Sequence, residues 1–174
     1  AGRGRAVLPQ ASGGAGCREC RDTAEHQGDT VKMGWQSAKL GDVCSFQGGT
    51  QPPKSQFVSS PQDGYIRLLQ IRDFKSDDKT VYVRDTPKNK TCNEDDIMIA
   101  RYGASVGQIH RGKKGAYNVA LIKTCPDLCR INRDFFYYYL TSPLFQKQLL
   151  ATSARGAQDG FNRSDISPFS LLLP

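Results

Sequence analysis

Apolar residues change their spacing once along this chain, and that change restricts the possible fold more than any other feature. Between residues 65 and 123, short runs rich in β-branched and aromatic residues, such as TVYV and VALIK, are typical of strands. From residue 132 to residue 154, apolar residues recur every three or four positions, which is the spacing of one helix face. Strands followed by helices predict an α+β fold, with a mostly antiparallel, twisted sheet and C-terminal helices.

Two segments of the strand region carry polar residues that bear on function. YIRLLQI, at residues 65–71, predicts a strand, and Gln70 and Arg72 alternate with apolar neighbours there, so we expect them to point away from the core. IMIARYGASVGQI, at residues 97–109, predicts two strands around a Tyr-Gly turn.

The helical region is predicted to begin at a capping residue, either Asn132 or Asp134. Ser142 followed by Pro143 is predicted to divide it into two helices, because proline disfavours helical backbone at the residue before it. The residues expected to fall mainly on one face are Phe135, Phe136, Tyr139, Leu140, Leu144 and Leu149.

The first 32 residues differ in composition from the rest of the chain. They are poor in large apolar residues and show neither a helical nor a strand period, so we interpret residues 1–32 as a tail, flexible or non-native, with Met33 as the natural start. Residues 33–174 are then expected to form one domain. The first residues expected to anchor its core are Trp35, Leu40, Val43 and Phe46.

The charge balance indicates a polyanionic partner. There are 24 Lys and Arg residues against 17 Asp and Glu residues, and the formal net charge is +7. No run of apolar residues approaches the length of a membrane span, and the start lacks the order of a signal peptide. We therefore expect a soluble, cytoplasmic protein with no membrane partner.

Six cysteines raise the question of a metal site. Cys17 and Cys20 have the spacing of metal ligands, and Cys125, Cys129 and His26 could complete a zinc site. The second cysteine pair spans a proline and lacks a repeated finger context, so we favour reduced, free thiols and no bound metal.

Four stretches, in this order, resemble the target recognition domain of type I restriction-modification specificity subunits. They are WQSAKLGDVCSFQGGTQP, YIRLLQIRDF, DDIMIARYGASVGQI with Asn118 after it, and the end from YYYLTSPLF to SLLLP. The resemblance implies a non-catalytic module that reads one half of a two-part target in double-stranded DNA. It also implies methyltransferase and restriction subunits as partners, and places S-adenosylmethionine, ATP and Mg on those subunits rather than on this chain.

A complete specificity subunit is similar to two such domains joined by long conserved helices. This chain ends at Pro174, where the first such helix is expected, so the resemblance implies a fragment or a natural half-subunit. Self-association of half-subunits is an open alternative.

DNA recognition needs cations for phosphates and amide or guanidinium groups for base edges. The segment between Arg101 and Lys114 offers both and contains no acidic residue, while Gly103 and Gly107 permit a tight turn. A solvated hairpin is the alternative for this segment. The candidate DNA-binding residues are Gln51, Lys54, Gln70, Arg72, Arg101, Tyr102, Ser105, Gln108, Arg111, Lys113, Lys114, Arg155, Gln158 and Asn162.

Two other classes of function remain open from the sequence. Asp63, Asp77 and Lys79 resemble the acidic pair and lysine of a metal-dependent nuclease, although residues 77–79 also fit an ordinary turn between strands. A domain that binds a protein rather than DNA is the other alternative. His110 lacks the orienting partner that acid-base chemistry requires.

Overall fold

The computed structural model describes residues 34–153 and 160–174. In chain order, its strands are β1 (Gln36–Lys39), β2 (Cys44–Gly48), β3 (Tyr65–Leu69), β4 (Tyr82–Arg84), β5 (Thr91–Cys92), β6 (Met98–Ala100), β7 (Ile109–His110), β8 (Gly115–Tyr117), β9 (Leu121–Pro126) and β10 (Ser170–Leu173). Its α-helices are α1 (Leu40–Val43), α2 (Arg133–Thr141), α3 (Pro143–Ser153) and α4 (Arg163–Ile166). Short 3₁₀ turns occupy Lys54–Gln56, Ile71–Phe74 and Gly103–Ser105.

The strands form two four-stranded sheets and one strand pair. The first sheet has the order β2-β9-β6-β7, the second has the order β4-β3-β8-β5, and β1 pairs with β10. Every strand pair is antiparallel except β3 with β8, which run parallel with Leu68 opposite Ala116. The predicted α+β fold, mostly antiparallel with C-terminal helices, is confirmed.

The principal core lies between the first sheet and the C-terminal helices. Ile99 and Ile122 from the sheet pack with Phe136, Phe145 and Leu149 from α2 and α3, and all five side chains are buried. Burial of such large apolar side chains is the main source of stability in a domain of this size. A smaller cluster around Leu69, Met98 and Tyr117 joins the two sheets.

The core begins later in the chain than the sequence predicts. Trp35 is 63% exposed, and its ring contacts Phe135 only at the edge of the domain, with 6.1 Å between ring centroids. The reason is that Trp35 precedes β1, which pairs with β10 outside both larger sheets. Leu40 is therefore the first fully buried residue of the described chain.

The predicted strand at residues 65–71 ends two residues early. Leu68 and Leu69 are both buried, so alternation fails there, and Gln70 starts the 3₁₀ turn. The side chains of Gln70 and Asp73 each accept a hydrogen bond from the other residue's backbone N–H. This reciprocal capping satisfies the backbone locally and turns the chain away from the sheet.

The helical region follows the sequence closely. Asn132 caps α2, because its Oδ1 accepts hydrogen bonds from the backbone N–H groups of Asp134 at 2.9 Å and Phe135 at 3.1 Å. The predicted division at Ser142 and Pro143 is confirmed. None of the described helices is long and apolar enough to cross a membrane.

The sequence predicted Leu144 on the buried helix face, and this prediction is wrong. Its side chain is exposed, while Phe145 and Leu149 on the same helix are buried. The cause is the break before Pro143, which starts a new helix and shifts the buried face by one position.

Candidate nucleic-acid interface

Arg101 joins two of the candidate DNA-binding segments. It follows β6, and its Nε donates a hydrogen bond to the carbonyl oxygen of Phe161 at 3.1 Å. Its Nη2 donates to Oδ1 of Asn162 at 2.7 Å, and its guanidinium lies 4.9 Å from the centre of the Tyr102 ring. Two predicted reading residues, Arg101 and Asn162, therefore bind each other and hold the hairpin against the C-terminal segment.

Close backbone contacts complete this junction. A Cβ atom at Gly160 would lie 2.5 Å from the Tyr102 ring, and one at Gly49 would lie 2.1 Å from the carbonyl oxygen of Asn118. No side chain fits at either distance, which explains glycine at both positions. The stretches QGG, RYG, Asn118 and GFN, which are far apart in sequence, meet here.

The hairpin between β6 and β7 presents three of the candidate side chains. Tyr102 and Gln108 are exposed and Ser105 is half-buried. None of the three side chains hydrogen bonds to another residue in the described part of the chain. Gly103 and Gly107, with φ of 67° and 84°, shape the connection between them, as the sequence predicted.

Most cations of this segment are already paired. Arg111 lies 3.2 Å from Oδ1 of Asp134, and its guanidinium sits 4.1 Å from the centre of the Tyr137 ring. Lys113 Nζ lies 2.5 Å from Oδ1 of Asp77. Lys114 makes no ion pair with any described residue. The segment has no acidic residue of its own, but distant parts of the chain supply the carboxylates.

Lys113 belongs to a second group of charges, beside β3. Arg67 on this strand also binds the carboxylate of Asp77. Arg72 is exposed and donates to the carbonyl oxygen of Lys79 at 3.3 Å. The sequence interpretation missed Arg67, although a charged residue within an apolar strand is the signal that could have identified it.

Asp73 lies within this second group and is fully buried. Its Oδ2 accepts a hydrogen bond from the backbone N–H of Gln70 at 2.7 Å, while its Oδ1 has no hydrogen-bond partner among the described residues. Burial raises the pKa of Asp73, and the charges of Arg67, Arg72 and Lys113 oppose that rise without cancelling it.

The remaining candidates lie on separate loops. Gln51 is exposed, with Nε2 donating to the carbonyl oxygen of Pro52 at 3.3 Å, and Lys54 is exposed in its 3₁₀ turn. Arg155 and Gln158 fall outside the described residues. The described candidates thus divide between the hairpin, the charges beside β3 and the loop that contains Gln51.

His110 packs against the domain rather than facing a substrate. Its ring stacks on Phe74 with 4.5 Å between centroids, and burial lowers its pKa, with a smaller contribution from Lys75. Its buried Nε2 has no hydrogen-bond partner among the described residues. This arrangement offers no orienting group for acid-base chemistry.

The residues of the nuclease alternative do not form a metal site. Asp77 binds Lys113 and Arg67, whose hydrogen bonds hold the pKa of its carboxyl at about 2. Asp63 and Lys79 are exposed. In the described ranges, no three side chains of His, Cys, Asp or Glu lie together in a way that could hold a metal ion.

Among the described residues, one cysteine departs from the expected reduced state. Cys129 is disulfide-bonded, so the expectation of free thiols is wrong there. Cys92 is a buried thiol whose pKa burial raises to about 11, and its Sγ donates to the carbonyl oxygen of Lys113 at 3.5 Å. Cys17, Cys20 and His26 lie outside the described residues.

Comparison with known proteins identifies related chains. Among curated proteins, the type I restriction enzyme MjaVIII specificity subunit of Methanocaldococcus jannaschii is 26% identical over 115 residues, which cover 66% of this chain and 26% of that protein. This chain therefore spans about a quarter of the length of that relative.

Solved structures share the fold. The HsdS subunit from Thermoanaerobacter tengcongensis superposes with a TM-score of 0.62 and 19% identity, over 86% of this chain and 35% of that one. The S subunit of a type I system from M. genitalium superposes with a TM-score of 0.56 and 15% identity, over 83% of this chain and 35% of that one. At these identities, the likeness concerns the fold alone.

A family assignment follows from the match with the greatest coverage. Residues 32–174 match the family described as the type I restriction modification DNA specificity domain. That match spans the segments QGG, RYG, Asn118 and GFN that meet around Arg101, and all of the described elements. The chain belongs to the type I restriction modification DNA specificity domain family.

Proposed function

We propose that this chain recognises one half of a two-part sequence in double-stranded DNA and directs partner methyltransferase and restriction subunits to it. The observation that carries the proposal is the family match over residues 32–174. The net charge of +7 supports it, because cations supply the sequence-independent part of DNA affinity. The chain itself is non-catalytic in this proposal and acts in the cytoplasm.

In the proposed system, DNA recognition and the chemical steps belong to different chains. Residues 33–174 form the recognition domain, and residues 1–32 are a tail outside it. Methyl transfer with S-adenosylmethionine, and cleavage with ATP and Mg, belong to the partner subunits. In this proposal the chain acts beside a second recognition half, either in the same protein or in another copy.

The geometry refines the choice of reading residues. Arg101 donates one hydrogen bond to the Asn162 side chain and another to the carbonyl oxygen of Phe161, so we assign Arg101 and Asn162 to positioning. Gln108 is exposed at the hairpin, and its amide is the chemical type that pairs with adenine through two hydrogen bonds. Among the described candidates, Gln108 is therefore our first choice for base reading, with Tyr102 and Ser105 beside it.

Selection from a pool of random duplexes tests the proposed function. The full chain, mixed with the methyltransferase subunits from the same cell, is used to capture duplexes at a fixed salt concentration, and the captured duplexes are sequenced. We expect enrichment of a short motif and an affinity that falls steeply with salt. Capture without any enriched motif, together with an affinity that salt does not change, would show that the chain does not read DNA.

A charge variant tests which surface faces the duplex. Lys114→Gln should weaken binding to all duplexes alike and reduce the slope of log affinity against log salt by about one. Lys39→Gln, on the exposed strand β1, removes the same charge from another surface and should leave the slope unchanged. If both variants change the salt slope equally, the surface around Lys114 is not the one that faces the duplex.

A further inference from the structure

Asp77 binds two cations at once. Its Oδ1 lies 2.5 Å from Nζ of Lys113, and the same oxygen accepts a hydrogen bond from Nη2 of Arg67. The two cationic side chains are largely buried, with 23% and 22% of their surface exposed, whereas 60% of the Asp77 side chain is exposed. The carboxylate thus covers the cations from the solvent side.

The two cations are fixed by the second sheet. Arg67 lies in β3, and Lys113 comes two residues before β8, which pairs with β3. A Cβ at Gly115 would lie 2.6 Å from the carbonyl oxygen of Arg67, so the chain after Lys113 runs directly against that strand. Asp77, in contrast, lies in the connection between β3 and β4. The cations would therefore stay in place if Asp77 moved away.

One carboxylate does not saturate this group. Nε of Arg67 is buried without a hydrogen-bond partner among the described residues. Arg67, Arg72 and Lys113 carry three positive charges against the carboxyl groups of Asp73 and Asp77, and burial raises the pKa of Asp73. A net positive charge remains at a position that an anion from solvent can reach.

Phosphate has the chemistry that this position accepts. Its oxygens accept charge-assisted hydrogen bonds from guanidinium and ammonium groups, as the Asp77 carboxylate does here. DNA is the polyanion of the proposed function, so the phosphates of its backbone are the anions that would approach this surface at high local concentration.

We propose that Asp77 occupies a phosphate-binding subsite formed by Arg67 and Lys113, and that a phosphate of the DNA backbone displaces it. This inference rests on the proposed function. Asp77 then acts as an internal competitor that lowers affinity for every duplex, so base contacts elsewhere decide which DNA is held. A built-in repulsive element of this kind is a common source of specificity.

The competition does not depend on pH under ordinary conditions. Because the hydrogen bonds from Lys113 and Arg67 hold the pKa of Asp77 at about 2, its carboxylate stays ionised near neutral pH. An incoming anion must therefore displace the ionised carboxylate of Asp77 rather than a neutral carboxyl group.

A pair of neighbouring variants tests the subsite. Asp77→Asn removes the competing charge. Asp78→Asn removes a charge of the same sign one residue away, from a side chain that forms no ion pair with any described residue. Affinity of the full chain for a duplex of unrelated sequence is measured against KCl concentration. We expect Asp77→Asn to raise that affinity about tenfold at low salt and to steepen the salt slope by about one to two, with a much smaller change for Asp78→Asn.

A double variant tests whether the gain in affinity depends on Lys113. Adding Lys113→Gln to Asp77→Asn should remove most of the increase, because one of the two released cations is then missing. Circular dichroism of all variants confirms that they are folded. If Asp77→Asn binds more weakly than the parent chain, Asp77 orients the cations instead of competing for them, and the inference is wrong.

Inorganic phosphate provides a readout without DNA. Phosphate at constant ionic strength should raise the unfolding temperature of Asp77→Asn more than that of Asp78→Asn. Equal behaviour of the two variants in both measurements overturns the subsite while the proposed function stands. A phosphate effect at Asp77→Asn with no duplex affinity in any variant overturns the proposed function, and with it DNA as the ligand of the subsite.

Discussion

The guanidinium of Arg101 donates two hydrogen bonds within the protein. It binds the carbonyl oxygen of Phe161 and the side chain of Asn162, sixty residues further along the chain. A charged donor that is already paired offers little to a base edge, because binding DNA would first require breaking those bonds. An arginine of the right chemical type for reading guanine thus serves here to position two segments.

Replacing Arg101 should therefore affect stability. Arg101→Gln loses two hydrogen bonds from a charged group and the stacking on Tyr102, so we expect a loss of about 1 to 3 kcal/mol in the free energy of unfolding. Arg72→Gln, on the exposed surface, should cost less than about 0.5 kcal/mol. Urea denaturation of both variants measures the difference. If both variants lose the same small amount of free energy of unfolding, Arg101 does not position the two segments and is again a candidate for base contacts.

Asp73 should make stability depend on pH. In the unfolded chain its carboxyl titrates near the ordinary value of about 3.9. In the folded chain burial raises its pKa, so the folded state binds more protons and stability falls as the pH rises from about 4 through the folded pKa. Asp73→Asn keeps an oxygen that can accept from Gln70 and should remove this fall.

Urea denaturation between pH 4 and pH 7 checks this expectation for the parent chain and the variant. The difference between the two isolates Asp73 from His110, whose lowered pKa makes stability fall in the opposite direction, as the pH drops. Asp63→Asn, on an exposed loop, serves as the control and should leave the parent profile unchanged. A profile for Asp73→Asn that parallels the parent would mean that burial does not govern this carboxyl.

At the level of elements, features that depend on nearby residues were predicted from the sequence, whereas features that depend on distant residues were not. The cap at Asn132 and the break at Pro143 depend on neighbours within three residues, and both were predictable. The end of β3 depends on reciprocal hydrogen bonds between Gln70 and Asp73, which no hydrophobic period indicates. The parallel pairing of β3 with β8 joins residues almost fifty positions apart, and the spacing of apolar residues does not indicate it.

The hairpin between β6 and β7 depends on helix α3 for its shape. Gln146 donates through Nε2 to the carbonyl oxygens of Gly107 at 2.9 Å and Leu140 at 2.7 Å. A Cβ at Gly107 would lie 2.9 Å from Oε1 of that same side chain, whereas a Cβ at Gly103 meets nothing within 4 Å. Both glycines have positive φ. The helix therefore constrains one end of the connection and leaves the other open.

Two alanine variants separate these effects. Gly103→Ala should cost about 1 to 2 kcal/mol of stability, because of its left-handed backbone alone. Gly107→Ala carries the same backbone cost and also collides with Gln146, which its two hydrogen bonds hold in place, so it should cost at least about 1 kcal/mol more. Thermal or urea unfolding measures both. A Gly107→Ala variant as stable as Gly103→Ala would show that Gln146 moves aside freely.

At the level of the molecule, the residue types of the candidate site were predictable, but their partners were not. The segment from Arg101 to Lys114 contains no acidic residue, so a cationic surface was expected there. The fold brings Asp134 to Arg111 and Asp77 to Lys113 from other parts of the chain. Sequence spacing cannot indicate such pairs, because they depend on how the sheets and helices pack.

The exposed amide of Gln108 is expected to contribute to sequence specificity. An amide offers an NH2 donor group and an acceptor oxygen side by side in fixed directions, whereas a lysine is a point charge that fits any phosphate. If Gln108 lies in the major groove, Gln108→Ala should relax the preference at one base position by roughly 1 to 3 kcal/mol and leave affinity for unrelated duplexes almost unchanged. Gln62→Ala, on an exposed loop outside the candidate set, should leave the preference intact.

The measurement compares duplexes that differ at single positions of the selected motif, with the methyltransferase subunits of the proposed complex present. All affinities are taken at one salt concentration, since the contribution of phosphate contacts changes with salt and would mask the contribution of a base. A Gln108→Ala variant that keeps the full preference at every position would exclude Gln108 as a base-reading residue, and the loop containing Gln51 would become the next surface to test.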